Sequence, residues 1–399
     1  SDAISSNDSM LGGVGNDSFD FDGNVTSTTA IGGSGNDTFA FANTVSGAYV
    51  SGDAGRDSLL FSEVVNGASS VVGGSGNDTF TTGAGSDELY GHAGDDAFTV
   101  NGIGDKTIDG GLGTNSLTFS YSGVTSLSSF TIGSVPSSER SAWTLTSPNG
   151  DSISFKNIID YTPRALGKWD GYLTVDSTTY RFVSDYRHYD AGQFEGAYGS
   201  LRSFISQSGS SVEVVLPSGG KWMPQYQMGE ANPSATPGYK GYNFNGSETY
   251  TIYGSSGAEI IFGGYQADTI SSGAGNDIIL AGDGADVVDA GAGDDVVYTS
   301  LAGLTEDTSI DGGSGSNTIS FTKPYFSWDN ESYGSVTFNL STDLGNATNF
   351  QNISGSNRAD TLTGDSAANV IVGGSGADTL SGGAGDDSLY GDYHTSDTQ

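Results

Sequence analysis

The chain has no cysteine in 399 residues. Disulfides, zinc–thiolate centres and cysteine nucleophiles are therefore excluded. Histidine is almost as scarce, with His92, His188 and His394 the only three. No HExxH, GxSxG or phosphate-cradling glycine loop is present, so no recognisable catalytic set is at hand. Positive charge is also lacking: 13 Lys and Arg face 48 Asp and Glu, a net charge of −35. A nucleic-acid partner needs a basic surface, and an anionic membrane attracts one, so both partners are excluded. Nor is there an apolar run of about 18 residues, the length a membrane-crossing helix requires.

What the chain has in abundance is glycine and aspartate, with 63 Gly. They are ordered. A nine-residue unit, Gly-Gly-x-Gly-x-Asp-x-apolar-x, recurs along the sequence. The cleanest run starts at Gly254 and restarts at Gly263, Ser272, Ala281 and Ala290. Its sixth position reads Glu259, Asp268, Asp277, Asp286, Asp295, and its eighth Ile261, Ile270, Ile279, Val288, Val297. Disordered tracts do not hold an apolar residue at a fixed step. A short repeat that cannot bury its one apolar side chain alone must stack on its neighbours as a solenoid. Glycines permit the tight turn, and the aspartate supplies a hard oxygen. Calcium takes about 6–8 oxygens at about 2.3–2.6 Å. Two units make one coil, so residues eighteen apart should stack: Asp268 on Asp286, Asp277 on Asp295, Asp360 on Asp378.

The units Gly73-Gly74-Ser75-Gly76-Asn77-Asp78-Thr79-Phe80 and Gly373-Gly374-Ser375-Gly376-Ala377-Asp378-Thr379-Leu380, with their siblings, resemble the haemolysin-type calcium-binding repeat, or RTX repeat. The resemblance implies an all-β chain of right-handed parallel β-roll blocks that fold on calcium outside the cell. It also implies one-step (type I) secretion of an unfolded chain, which the absence of cysteine suits. The implied metal ligands are Asp17, Asp37, Asp57, Asp78, Asp87, Asp96, Asp268, Asp277, Asp286, Asp295, Asp360, Asp378 and Asp387, holding about ten Ca2+ ions. Asn115 and Asn317 stand where a unit would carry Asp, and should bind weakly or not at all; Asn369, facing Asp387 eighteen residues on, should weaken that site.

The organisation is uneven. Residues 1–120 form a first roll with a step near twenty (Gly12, Gly32, Gly52, Gly73), which tightens to nine after Gly73. The long step predicts metal turns on one edge only, down to the tighter part. Residues 121–250 lack the repeat and carry 11 acidic and 9 basic residues, against 37 and 4 elsewhere. This segment holds 11 of the 20 Tyr and three of the four Trp, so it is a different kind of domain, predicted to be an inserted antiparallel β-rich one. A short helix is predicted over Phe194–Ile205. Residues 251–322 form a central roll, 323–354 a β linker, 355–392 a C-terminal roll and 393–399 a tail. The stretches Asp105–Gly111 and Asp307–Gly313 echo one another, each leading to an Asn unit, which reads as an internal duplication of a roll's end.

His92 replaces a repeat glycine and reads as an exposed turn residue. His188, between Asp185 and Asp190, reads as part of a solvated loop rather than a catalytic group. The aromatic residues of 121–250, Trp169, Tyr186, Tyr189, Trp222, Tyr226, Tyr239 and Tyr242 among them, suit a domain core better than a sugar- or peptide-stacking surface. The chain therefore reads as a non-enzymatic, calcium-binding, secreted cell-surface scaffold of the S-layer or adhesin kind, which self-associates. A module recognising a cell-surface glycan or a peptide, and the non-catalytic part of a secreted enzyme, are the other two readings.

Overall fold

A computed structural model describes residues 4–5, 8–62, 65–66, 69–102, 104–120, 124–133, 142–158, 168–185, 202–208, 210–218, 221–222, 248–322 and 334–392. It is an all-β protein built as a parallel β-solenoid. It forms two compact units, Ser1–Ser206 and Gln207–Gln399.

In the first unit each twenty-residue coil has three sides. The strands Ser9–Val14, Thr29–Ser34, Tyr49–Ala54, Ser70–Ser75, Asp87–Ala93 and Lys106–Asp109 pair in parallel along one side. Ser18–Phe21, Thr38–Phe41, Ser58–Phe61, Thr79–Thr82, Ala97–Val100 and Ser116–Phe119 pair along the second. The two-residue strands Val25–Thr26, Val45–Ser46 and Val65–Asn66 form part of the third. The glycine-rich turn lies between the first side and the second, and the longer step is absorbed by the third.

Parallel stacking at constant register places like on like, and this builds the core. Phe21, Phe41 and Phe61 stack face to face with ring centroids 4.4 and 4.7 Å apart, and Phe80 stacks on Phe98 at 4.6 Å. All five of these residues are buried. Alternation along each four-residue strand turns one or two apolar side chains inward and leaves the polar ones in solvent. In the second unit the same role falls to aliphatic ladders: Ile252, Ile270, Val288 and Ile310 on one side, and Ile261, Ile279, Val297 and Ile319 on the other. There the pairing offset is eighteen residues within the tandem run, so that Ile270 faces Val288 and Ile279 faces Val297. The third run continues it, Ile371 facing Leu389 and Leu362 facing Leu380.

Turns of this tightness depend on glycine. Gly35 has φ of +135°, and a side chain there would strike the carbonyl oxygen of Gly15 one coil below. That contact explains why the fourth position of the unit is nearly always glycine.

The sheets run on past the repeats. Lys106–Asp109 pairs in parallel with Ser152–Lys156, which then pairs antiparallel with Trp143–Thr146. Ser116–Phe119 pairs in parallel with Lys168–Val175, which turns back as an antiparallel hairpin with Thr178–Asp185. An open solenoid end exposes unpaired strand edges, and antiparallel hairpins close such edges. Ser211–Val215 and Lys221–Trp222 pair in parallel with strands of the second unit, before the first tandem repeat begins. Within 121–250, Tyr180 is fully buried and its hydroxyl receives the Leu127 N–H at 3.1 Å, while Trp143 packs edge-on against Phe204 at 5.2 Å.

The predicted helix over Phe194–Ile205 is not formed where the chain is described. Arg202–Ser208 is a strand, paired antiparallel with Thr178–Asp185 through Phe204 and Phe182. Sheet pairing outweighs the local helical tendency of a short segment. His188, Tyr186, Tyr189, Tyr226, Tyr239 and Tyr242 lie outside the described residues, as do the side chains of Trp169 and Trp222.

Candidate metal centre

Each repeat turn delivers its sixth residue to the same place in the coil. The Asp17 N–H donates to Asp37 Oδ1 at 2.7 Å, Asp37 to Asp57 at 2.7 Å, Asp57 to Asp78 at 2.8 Å, and Asp78 to Asp96 at 2.8 Å. The ladder ends at Asn115, whose Oδ1 accepts from the Asp96 N–H at 2.9 Å. The second unit holds two such ladders. One runs from Glu259 through Asp277 and Asp295 to Asn317. The other runs from Tyr250 through Asp268 and Asp286 to Asp307. In the third run the Val336 N–H donates to Asp360 at 2.7 Å, and the Asp360 N–H to Asp378 and the Asn369 N–H to Asp387, both at 2.9 Å. All the aspartates named from the sequence have placed positions. Asp17 heads its ladder as a donor, and the others accept a main-chain N–H within theirs, except Asp87, which stands apart.

One oxygen of each accepting carboxylate is thereby used. The second oxygen, Oδ2, is buried and meets no donor in Asp17, Asp37, Asp57, Asp78, Asp96, Asp268, Asp277, Asp286, Asp295 and Asp378. A buried carboxylate oxygen without a partner is costly. Around Asp96 the geometry shows why none is found. Asp96 Oδ2 and the Gly110 carbonyl oxygen border the same small space over the Gly91 α-carbon, and both would collide with a side chain there. Two acceptors thus converge without a donor. The same convergence recurs at Gly12, between Asp17 Oδ2 and the Gly32 carbonyl, and at Gly373, between Asp378 Oδ2 and the Gly391 carbonyl.

The asparagine units supply the control. Asn115 occupies the position of Asp96 one coil on, and its Nδ2 donates to the Asn157 carbonyl at 2.9 Å. Asn317 does the same toward Asn349 at 3.1 Å. Where the side chain offers a donor, the facing carbonyl is satisfied; where it offers only an oxygen, something positive is needed. Among the described residues no three His, Asp or Glu side chains gather at one point. A cation here would be held by carboxylate together with main-chain carbonyls, an all-oxygen set that suits calcium and not zinc.

The electrostatics agree. Burial pushes Asp78 and Asp286 up to about 7, with the neighbouring aspartates of the ladder adding to it. Burial likewise lifts Asp96, Asp268 and Asp295 to about 6, against the lowering effect of the N–H each accepts. Asp57 and Asp277 are raised for the same reason.

Other units satisfy their own carboxylates. Ser356 gives Asp360 its N–H at 2.6 Å and its hydroxyl at 2.9 Å. Ser255 does the same for Glu259 at 3.1 and 2.7 Å. In both, serine replaces the second glycine of the unit. Asn369 is tied to Asp365 and to the Gln351 carbonyl. Asp87 differs: its Oδ2 lies 2.9 Å from the ammonium of Lys106 as an ion pair, both side chains fully buried, while its Oδ1 receives no hydrogen bond. Spacing alone assigns the sixth position of another unit to Thr308 and passes over Asp307. The helical turn Gly303–Glu306 shifts the chain by one residue, so Asp307 accepts the Asp286 N–H at 3.2 Å, and burial lifts it to about 6. His92 is exposed, with φ of +72°, in the slot of a repeat glycine.

The description of the RTX calcium-binding nonapeptide repeat fits the chain four times, over residues 66–100, 253–288, 273–301 and 353–392. No curated protein matches the chain. Among solved structures, the crystal structure of extracellular lipase LipA from Serratia marcescens is similar over 85% of this chain and 37% of the lipase, at 15% identity and a TM-score of 0.20. The chain thus spans well under half the length of that lipase. The parallel roll, the stacked turns and the four repeat matches together make this chain an RTX-repeat protein carrying calcium-binding repeats.

Proposed function

We propose that the chain is a secreted, calcium-loaded structural segment of a cell surface, of the S-layer or adhesin kind, whose rolls are rigid only when about ten calcium ions fill the turns. The observation that carries this reading is the convergence of a donorless aspartate oxygen and a main-chain carbonyl at turns of both units. Ten divalent cations would offset about 20 of the 33 net negative charges outside residues 121–250. Self-repulsion on that scale opposes a compact metal-free chain. Calcium that binds the folded roll and not the open chain then drives folding by mass action. Folding is thereby confined to places where calcium is millimolar, which suits export of an unfolded chain and folding on the far side.

The bulk of the described chain is roll, and this supports a scaffold rather than a catalyst. The division into three rolls, a domain at 121–250 and a linker at 323–354 belongs to the same proposal, with the non-repeat segment as the surface for self-association. Light scattering and electron microscopy across a titration from chelator to millimolar calcium test it. Sheets or filaments appearing with calcium are expected. A protein that compacts with calcium yet stays monomeric at high concentration would overturn the assembly.

A further inference from the structure

Basic residues are rare in the rolls: outside residues 121–250 the chain has only Arg56, Lys106, Lys323 and Arg358. Yet Lys106 is among the largest fully buried side chains of the molecule. Its place in the repeat is specific. The segment Asn101-Gly102-Ile103-Gly104-Asp105-Lys106-Thr107-Ile108-Asp109 follows the unit pattern, with Ile108 at the eighth position and Lys106 at the sixth. It stacks on the unit 82–90, with Asp87 paired to Lys106 and Leu89 to Ile108. On this edge, then, a lysine occupies the slot that elsewhere holds the next aspartate.

The ammonium of Lys106 lies 2.9 Å from Asp87 Oδ2 and donates to the Gly85 carbonyl oxygen. A carboxylate and a main-chain carbonyl also converge without a donor at Asp96, although the carbonyl there, Gly110, opens the turn of the next coil, while Gly85 belongs to the same turn as Asp87. The ladder bond is absent as well, because lysine offers no acceptor: the Asp87 N–H donates to the Asp105 carbonyl at 3.1 Å instead of to a side chain.

We propose that Lys106 is a tethered cation that replaces a calcium ion between units 82–90 and 101–109, so that the turn at Asp87 closes without metal. This rests on the reading of the other ladders as calcium sites. A covalently attached charge cannot be removed by a chelator or diluted away. It therefore fixes the end of the first roll, where Lys106–Asp109 hands over to Ser152–Lys156, at calcium levels too low to fill the remaining turns. Burying two unlike charges against each other also makes the pair itself neutral, whereas every aspartate ladder adds one negative charge per coil.

Calcium counting on the full chain, by equilibrium dialysis and native mass spectrometry, tests this. Asp96→Asn is the reference and should lose one ion. Asp87→Asn paired with Lys106→Met should keep the full count, since no ion is removed. Lys106→Asp should gain one, because it recreates a stacked aspartate pair. Loss of an ion in the double variant would overturn the proposal, as would a folded Lys106→Asp with an unchanged count. An unchanged count in Asp96→Asn would instead strike the calcium reading of the ladders, and is told apart by that variant alone.

Discussion

Replacing Asp96 by asparagine should change the stability of the protein in opposite directions at low and at high calcium. The basis is that Asn115 already shows what the substituted side chain would do. The introduced amide would keep an Oδ1 acceptor for the Asp78 N–H, now at 2.8 Å. Its Nδ2 would point to the Gly110 carbonyl, as Asn115 Nδ2 points to Asn157 at 2.9 Å. Without calcium, the change removes a donorless buried oxygen and adds one hydrogen bond, a gain of about 1 kcal/mol. With calcium, it removes an ion. An ion present at about 100 times its dissociation constant contributes about 2.7 kcal/mol. The variant should therefore end about 1.7 kcal/mol less stable than the parent at that concentration, and the two curves should cross where calcium is about four times the dissociation constant. Urea denaturation of both proteins across a series of buffered calcium concentrations reads this directly. A variant weaker by the same margin at every calcium level would mean that Asp96 is a structural hydrogen-bonding group only. A variant stronger at every level would mean that no ion sits there.

Three further outcomes follow from the same geometry. In chelator, the roll should lose stability as pH rises from about 4 to about 7, because buried aspartates with folded values near 6 and 7 hold protons that the open chain has released above its ordinary 3.8. In saturating calcium the trend should reverse, since protons and calcium compete for the same oxygens; thermal unfolding at the two pH values in each condition checks it, and parallel trends would contradict it. Phe41→Ala opens the middle of a three-ring stack and should cost about 3–5 kcal/mol in saturating calcium by urea titration, a loss below about 1 kcal/mol counting against a packed aromatic ladder. Gly35→Ala combines a left-handed φ of +135° with a collision against the Gly15 carbonyl, and should cost at least about 1–3 kcal/mol that added calcium does not restore; the same urea titration reads it, and full recovery in calcium would refute it.

Most of the roll was legible in the sequence because one physical rule generates it. A nine-residue step with one inward side chain fixes both the strand spacing and the core, so the pairing of Ile270 with Val288 follows by counting. The aspartate ladders follow from the same count. What escaped were the places where a local substitution changes the chemistry and leaves the spacing intact. Lys106 keeps the unit's glycine and isoleucine positions and reverses the sign of its sixth residue, which a search for carboxylates passes over. Ser255 and Ser356 look like tolerated glycine replacements, and their hydroxyls satisfy the adjacent carboxylate. Asp307 was hidden by a one-residue shift at the turn Gly303–Glu306. The strand Arg202–Ser208 was missed for a different reason: its partner is distant in sequence, and no periodicity announces it.

Taken along each run, these exceptions are not scattered. The tandem run of the second unit opens at Glu259, capped by Ser255, and closes at Asn317, whose amide reaches Asn349. The third opens at Asp360, capped by Ser356. The first closes with Asn115 on one edge and with Lys106 facing Asp87 on the other. Eight of the donorless aspartates, Asp37, Asp57, Asp78, Asp96, Asp268, Asp277, Asp286 and Asp295, lie between these termini, whereas Asp17, at the head of the first ladder, and Asp378, at the foot of the last, keep a donorless oxygen at an end. The placing has a physical logic. A terminal turn has another glycine-rich repeat turn on one side only, so fewer turn carbonyls face a cation there, and a carboxylate left there would be both underligated and unpaired. Serine, asparagine and lysine each close such a turn with groups carried by the chain itself. The calcium-requiring turns are then held between segments that need no metal, and loss of calcium should open a roll from its middle while its ends retain their hydrogen bonds. Amide hydrogen exchange during chelation distinguishes the two orders: Ile279 and Val297 exchanging before Ile319 would fit metal-free termini, and Ile319 exchanging first would refute them.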